Sequence, residues 1–338
     1  MQSTDHFVWD ADPSVFNLGT VNLPFPVAIW GLVLAVVAII YGFSKLEEQK
    51  PKGKEEPAGW KILAVIFGSL IGGQLLFLLL PSPTISQIGP IQPRWYGVLF
   101  ASAFVVGYLL TRRMFMHANR DPQEVEQLLT YVLIGTVIGA RLGHVFFYDA
   151  SYYLRHPAEI IAIWHGGLAS HGAAIGILLA MYYFVKKHRD MSYLWLADRV
   201  VMVVAIGGAF IRTGNFFNSE ILGEPSSLPW AVIFARIDMI PRHPTMLYEA
   251  ALCIATFAVL WVIYKRYKHQ PPEGGIFGVF MLMLFTGRFL LEFTKMNQAG
   301  FASDWSINMG QWLSVPLIIA GIWLIRKVNW DKKINRSQ

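Results

Sequence analysis

The residues of this sequence best able to do chemistry sit where charge is costly. Arg141, His165, His171, Asp198, Arg212, Glu220, Arg288 and Glu292 fall within or beside long apolar runs, and ionisable groups at membrane depth are rare, paired and by default functional candidates. The densest group is IRTGNFFNSEILGE, which holds Arg212, Asn215, Asn218 and Glu220 within nine residues, with Gly214 and Gly223 able to take unusual backbone angles. A guanidinium presents a planar fork of donors suited to phosphate. Two asparagine amides add neutral donors for head-group oxygens, and Glu220 can pair with Arg212 or accept from a hydroxyl. The same residues would also serve as an ordered loop cap. PRHPTMLYEA follows, with His243, Tyr248 and Glu249, and reads as a helix entrance or as part of the same polar region.

Other polar positions carry two readings each. In IWHGGLASHGAAIG, residues 157–170 are predicted to enter the bilayer, turn at Gly166 and Gly167 and present His171 at a cavity mouth, since broken backbone at this depth is tolerated only in protein or beside water. The alternative is a histidine hydrogen-bonded across helices. The spacing of His165 and His171 is not that of a helical zinc pair, and no carboxylate stands near them. Arg141 suits a structural ion pair or a ligand contact, and Asp198 with Arg199 suits pairing or snorkelling. Arg288 and Glu292 are spaced i, i+4, one helical turn apart. Cys253, the single cysteine, reads as a small packed hydrophobe.

The elements that must position these groups follow from composition. Of 338 residues, 54% are hydrophobic and 15% charged, against about 25% charged in soluble domains. The sequence is that of an all-α, polytopic integral membrane protein. The net charge of +6 is dispersed in short basic clusters between apolar runs, which is membrane topology rather than nucleic-acid binding. One cysteine excludes an intrachain disulfide and Cys-based metal clusters, and neither metal nor organic cofactor is expected. Runs long enough to span, about 20 residues, predict nine helices over 24–43, 62–80, 95–111, 125–148, 160–185, 194–211, 250–264, 275–291 and 307–325. Alternate loops carry 19 of the 28 Lys and Arg residues and are cytoplasmic by the positive-inside rule. The N-terminus is therefore expected outside and the C-terminus inside. The long loop 212–249 forms an outward-facing head, and the Lys/Glu/Pro-rich stretch 45–57 is a solvated linker.

Five blocks, RWYGVLF, GARLGHVFFYD, WHGGLASHG, RTGNFFNSEILG with RHPTMLYEA, and GRFLLEF followed by NMGQWLSVPLI, occur in the order of the prolipoprotein diacylglyceryl transferases. Over residues 92–328 the sequence resembles that bacterial family. The resemblance implies a seven-helix core, preceded by an N-terminal extension of two helices over residues 1–91, to which no function is assigned, and followed by a cytoplasmic tail, 329–338. Ile211 and Ala173 stand where the family pattern has glycine, and Phe285 where some relatives have tyrosine. No polar group is lost at the two glycine positions, and no hydroxyl chemistry is assigned at Phe285.

The implied reaction moves the sn-1,2-diacylglyceryl group of phosphatidylglycerol to the thiol of a prolipoprotein lipobox cysteine in the signal peptide. A thioether forms and glycerol 1-phosphate leaves, toward the outer face of the bacterial inner membrane. The resemblance implies Arg212, then Arg288, for the phosphate, with Glu292 orienting Arg288. His171 becomes the thiol base, since imidazole has a pKa of about 6.5, and Tyr96 a head-group or proton-relay residue. Asn215, Asn218, Glu220 and Gly223 are implied in glycerol and phosphate recognition, Arg141 in lipid binding, and His243, Tyr248 and Glu249 in shaping the head. Partners are phosphatidylglycerol, the lipobox signal peptide and membrane lipids, with no nucleic acid. The rival reading is a transporter or flippase for an anionic lipid or solute. Buried arginines and broken helices suit it too, but interrupted helices are not matched in two halves of the sequence.

Overall fold

The structure, a computed structural model, describes residues 6–17, 21–22, 87–88, 92–148, 150–162, 166–296 and 309–330. The predicted spans 24–43 and 62–80 lie outside the described residues, as does His165. In chain order the elements are β1 (Phe7–Trp9), β2 (Val21–Asn22), β3 (Gln87–Ile88), α1 (Trp95–His117), α2 (Gln123–Phe147), α3 (Ala150–Arg155), a 3₁₀ turn (Pro157–Ile161), α4 (Ser170–Lys187), α5 (Tyr193–Asn218), β4 (Val232–Phe234), β5 (Pro241–Arg242), α6 (Thr245–Arg266), α7 (Gly275–Leu291), a second 3₁₀ turn (Glu292–Thr294) and α8 (Met309–Lys327). The protein is mostly helical and multi-pass: among the described residues, five helices are long and apolar enough to cross a membrane. Short strands accompany the helices. β1, β4 and β5 form one small sheet, with β1 parallel and β5 antiparallel to β4.

Two compact units divide the chain. In the first, α1 packs on α5, α5 on α6, α6 on α7 and α7 on α8. Its core holds Met114, Met202, Leu260, Tyr264, Ile276 and Phe280, all buried. Lipid offers apolar helices no hydrophobic drive to associate, so small residues that allow close approach decide the packing. At the α7–α8 contact a Cβ on Gly321 would lie 3.0 Å from the Gly278 carbonyl oxygen. Cys253 is buried on α6, and its sulfur would lie 2.9 Å from a Cβ on Gly208 of α5, which fits the packed-hydrophobe reading.

Asp198 and Arg199 are both buried and form no direct ion pair with each other among the described residues. Asp198 accepts from the backbone N–H of Gly274 at 2.8 Å and of Phe277 at 2.7 Å, so it satisfies the otherwise orphaned donors at the start of α7. Arg199 lies 3.9 Å over the Trp195 ring and donates to the Trp195 carbonyl at 3.0 Å.

The second unit contains most of α2, with α3, the first 3₁₀ turn and most of α4. Glycines at 135, 139 and 143 on α2 meet Gly172 and Gly176 on α4, where a Cβ on Gly143 would come within 2.7 Å of the Gly172 Cα. This small-residue stripe brings the two backbones into contact. The predicted span 160–185 is not one helix. A 3₁₀ turn ends at Ile161, Gly166 and Gly167 take φ of 83° and 68°, and α4 begins at Ser170. The turn at these glycines is the one the sequence predicts.

Candidate active site

The polar cluster is carried by a helix that outlasts its apolar stretch. The span predicted over 194–211 continues to Asn218, so Arg212, Asn215 and Asn218 lie at i, i+3 and i+6 on α5 rather than in a loop. Ser219, at φ 55°, closes the helix, and its N–H returns to the Asn215 and Phe216 carbonyls. Glu220 then folds back under this last turn. Its carboxylate accepts from Asn215 Nδ2 at 2.7 Å and from Asn218 Nδ2 at 3.1 Å.

Arg212 does not pair with Glu220. Its Nε lies 2.7 Å from Glu249 Oε2, and its Nη1 donates to Asn215 Oδ1 at 3.4 Å. Glu249 is available because α6 starts at Thr245, five residues before the predicted Ala250, which puts this buried carboxylate on the helix. Its second oxygen lies 2.8 Å from Lys295 Nζ, which is also 3.0 Å from Glu292 Oε2. Neither Glu249 oxygen has an in-line hydrogen bond; short Coulombic contacts hold the group. Two cations and two carboxylates thus form a charge-balanced chain, Arg212–Glu249–Lys295–Glu292. Lys295 escaped the sequence reading because it follows a span in what looks like an ordinary loop.

This arrangement overturns one expected pair. Glu292 binds Lys295, and among the described residues no carboxylate lies within ion-pair distance of Arg288. The physical reason is local: α7 tightens into a 3₁₀ turn at Glu292, and Lys295 at i+3 takes its carboxylate. Arg212 of α5 and Glu249 of α6 share one end of the α5–α6 layer. Tyr96, on the first turn of α1, packs against Gly214, where a Cβ would meet its ring at 2.9 Å. Only glycine lets α1 approach α5 so closely beside Asn215.

The head closes over this end. Gly223 bridges to Lys295, and a Cβ there would lie 2.5 Å from the His243 carbonyl oxygen. Tyr248 accepts from Trp230 Nε1 at 2.8 Å and contacts His243 Nδ1 at 3.2 Å. Arg242 is buried and donates to Asp238 at 2.6 Å. That hydrogen bond holds the Asp238 carboxyl below the usual carboxylate range and raises the Arg242 guanidinium.

Arg141 and His171 belong to the second unit. Arg141 forms no ion pair among the described residues. Its guanidinium donates to the carbonyls of Glu159 (2.5 Å), Ile160 (2.8 Å) and Gly166 (2.6 Å), and sits 5.0 Å over the Tyr153 ring. It ties the end of the 3₁₀ turn to Gly166. His171 stands on the first turn of α4 with an exposed side chain. No group of three or more His, Cys, Asp or Glu able to hold a metal occurs among the described residues.

A family model described as prolipoprotein diacylglyceryl transferase matches residues 83–327. Curated relatives carry the name phosphatidylglycerol--prolipoprotein diacylglyceryl transferase. The protein of Tolumonas auensis is 47% identical over 243 residues, covering 72% of this chain and 94% of its own. That of Chloroherpeton thalassium is 46% identical over 244 residues, covering 72% and 91%. That of Porphyromonas gingivalis is 42% identical over 246 residues, covering 68% and 87%.

Proposed function

Because the chain belongs to the prolipoprotein diacylglyceryl transferase family, we propose that it transfers the diacylglyceryl group of phosphatidylglycerol to the thiol of a prolipoprotein lipobox cysteine, the first step of lipoprotein maturation. The observation that carries the reading is the polar end of an otherwise apolar layer, where Arg212, Asn215 and Glu220 meet Glu249 and Lys295. In the reaction the thiolate sulfur attacks the glycerol carbon, a C–S bond forms, and the C–O bond to phosphate breaks. The phosphate leaves with the bonding electrons, and the thiol proton goes to a base.

Arg288 and Arg212 take different shares of the developing charge. Arg288, with no carboxylate partner among the described residues, is assigned to the phosphate. Arg212 is fixed by Glu249 and Asn215, which leaves Nη2 with no protein acceptor among the described residues. Donors fixed before the reaction stabilise charge that appears only in the transition state. Asn218 and Glu220 supply recognition of glycerol hydroxyls, and Tyr96, Gly223, His243 and Tyr248 shape the region. His171 is assigned the thiol proton on the chemistry of imidazole alone. Arg141 is assigned to lipid binding, with its guanidinium held by the carbonyls of Glu159, Ile160 and Gly166.

The same reading places nine spans in the bacterial inner membrane, with the N-terminus outside and the polar end of the layer toward the outer face. The test is incubation of the purified protein with phosphatidylglycerol and a lipobox peptide. Release of glycerol phosphate together with a lipidated peptide supports the proposal, and movement of lipid between leaflets with an unmodified peptide overturns it in favour of a carrier. A reporter placed in 224–236 should be external, and a cytoplasmic signal there would reverse the orientation.

A further inference from the structure

Residues 7–15 lie ahead of the region matched by the family model, which begins at residue 83, yet they are built into the polar end of the first unit. Strand β1 lies parallel to β4 with Trp9 opposite Phe234, and the Ala235 N–H donates to the Trp9 carbonyl at 3.1 Å. The Trp9 ring stands 4.3 Å from Phe216 and 5.5 Å from Phe217. Trp95 stacks on the Phe217 ring at 5.3 Å, and Phe234 meets Phe216 edge-on at 5.9 Å.

These two phenylalanines occupy the last turn of α5, between Asn215 and Asn218. A helix leaves its last four carbonyls without intrahelical partners, so this turn depends on what packs and bonds around it. Arg236 binds the Phe217 carbonyl at 2.7 Å, and the aromatic cluster fixes the other side. The arm is anchored at its far end as well. Trp95 donates to the Pro13 carbonyl at 2.9 Å and Val15 donates to the Pro93 carbonyl at 2.7 Å. It therefore runs from β4, across the end of α5, to the start of α1 beside Tyr96.

We propose that residues 7–15 form a positioning arm of the transferase site and that Trp9 is its positioning residue, acting through Phe216 and Phe217 on the Asn215 and Asn218 amides. The inference rests on the transferase reading above. Trp9 touches no reacting atom. Its ring sets where the amides stand, and misplacement of positioned groups by about 1 Å can cost about a hundredfold in rate. The buried indole Nε1 has no hydrogen-bond acceptor, so phenylalanine can replace the ring here without losing a hydrogen bond.

The experiment uses the full chain in detergent, with phosphatidylglycerol and a lipobox peptide, and compares Trp9→Ala, Trp9→Leu and Trp9→Phe with the parent. The arm predicts a fall in kcat of about ten- to a hundredfold for Trp9→Ala and Trp9→Leu, a smaller change in KM, and recovery of most of kcat in Trp9→Phe. If Trp9→Ala fails to fold, Trp9→Leu, which keeps most of the volume without the ring, decides. Unchanged kcat in folded Trp9→Leu overturns the proposal, and so does an equal loss in Trp9→Phe and Trp9→Leu. Absence of turnover in the parent chain would refute the transferase reading instead.

Discussion

Replacing Arg212 with lysine separates its two tasks, holding Glu249 and facing the substrate. The arginine reaches Glu249 through Nε at 2.7 Å and Asn215 through Nη1 at 3.4 Å, and still has Nη2 without a protein acceptor among the described residues. A lysine has one ammonium on a flexible stem and cannot do all of this at once. It can keep the Glu249 contact, so the buried carboxylate is not left unpaired, and the melting temperature should shift by only a few degrees, corresponding to about 1 kcal/mol. What is lost is the donor aimed at charge developing on phosphate, which for one preorganised donor costs about 10²–10³ in rate, or ~2.7–4 kcal/mol. The assay is initial rate of glycerol phosphate release at saturating phosphatidylglycerol, with a thermal melt on the same preparation. Near-parental turnover in Arg212→Lys would refute the phosphate role and leave Arg288 to carry it alone.

Other perturbations test neighbouring parts. Glu249→Gln removes the carboxylate shared by Arg212 and Lys295 and should cost about 3–5 kcal/mol of stability, as breaking one partner from a buried ion pair does; a melt indistinguishable from the parent would show the network to be dispensable. His171→Gln should lower the rate about 10²–10⁴ at neutral pH and recover as the pH approaches about 9.5, above the thiol pKa, whereas parallel pH profiles with a constant offset would remove the base assignment. Asp238, held low by its bond to Arg242, contributes stability that is present above the unfolded carboxyl pKa of about 3.9 and lost as pH falls through the lower folded value. Asp238→Asn should therefore flatten the acid limb of a melting-temperature profile, and an unchanged limb would contradict the pairing.

Much of the helical frame was legible in the sequence, because spanning helices must be long and apolar. The prediction of α7 over 275–291 matches its observed bounds. Errors cluster where polar residues sit on helices. The apolar criterion stopped α5 at Ile211 and started α6 at Ala250, so Asn215, Asn218 and Glu249 read as loop or helix entrance although all three are helical. Partners were harder still. The motif offered Glu220 to Arg212, but the packing of α6 on α5 chooses Glu249. The i, i+4 rule favoured Arg288 with Glu292, and Lys295 takes the carboxylate through a 3₁₀ turn that spacing alone does not announce. The Asp198 cap and the Arg141 hydrogen bonds depend on backbone groups, which sequence does not place. The glycine stripe at 135, 139 and 143 was a readable i, i+4 signal for close helix contact.

The central claim is an alkyl transfer in which the glycerol carbon parts from the phosphate oxygen. Phosphatidylglycerol carrying a heavy-oxygen label at the bridge between the diacylglyceryl carbon and phosphorus tests it most directly, with both products of the purified protein and a lipobox peptide weighed by mass spectrometry. The account predicts that the label leaves entirely in glycerol phosphate and that the peptide gains an unlabelled diacylglyceryl thioether. Label found on the diacylglyceryl product would mean that the phosphorus–oxygen bond is cut, and would contradict it.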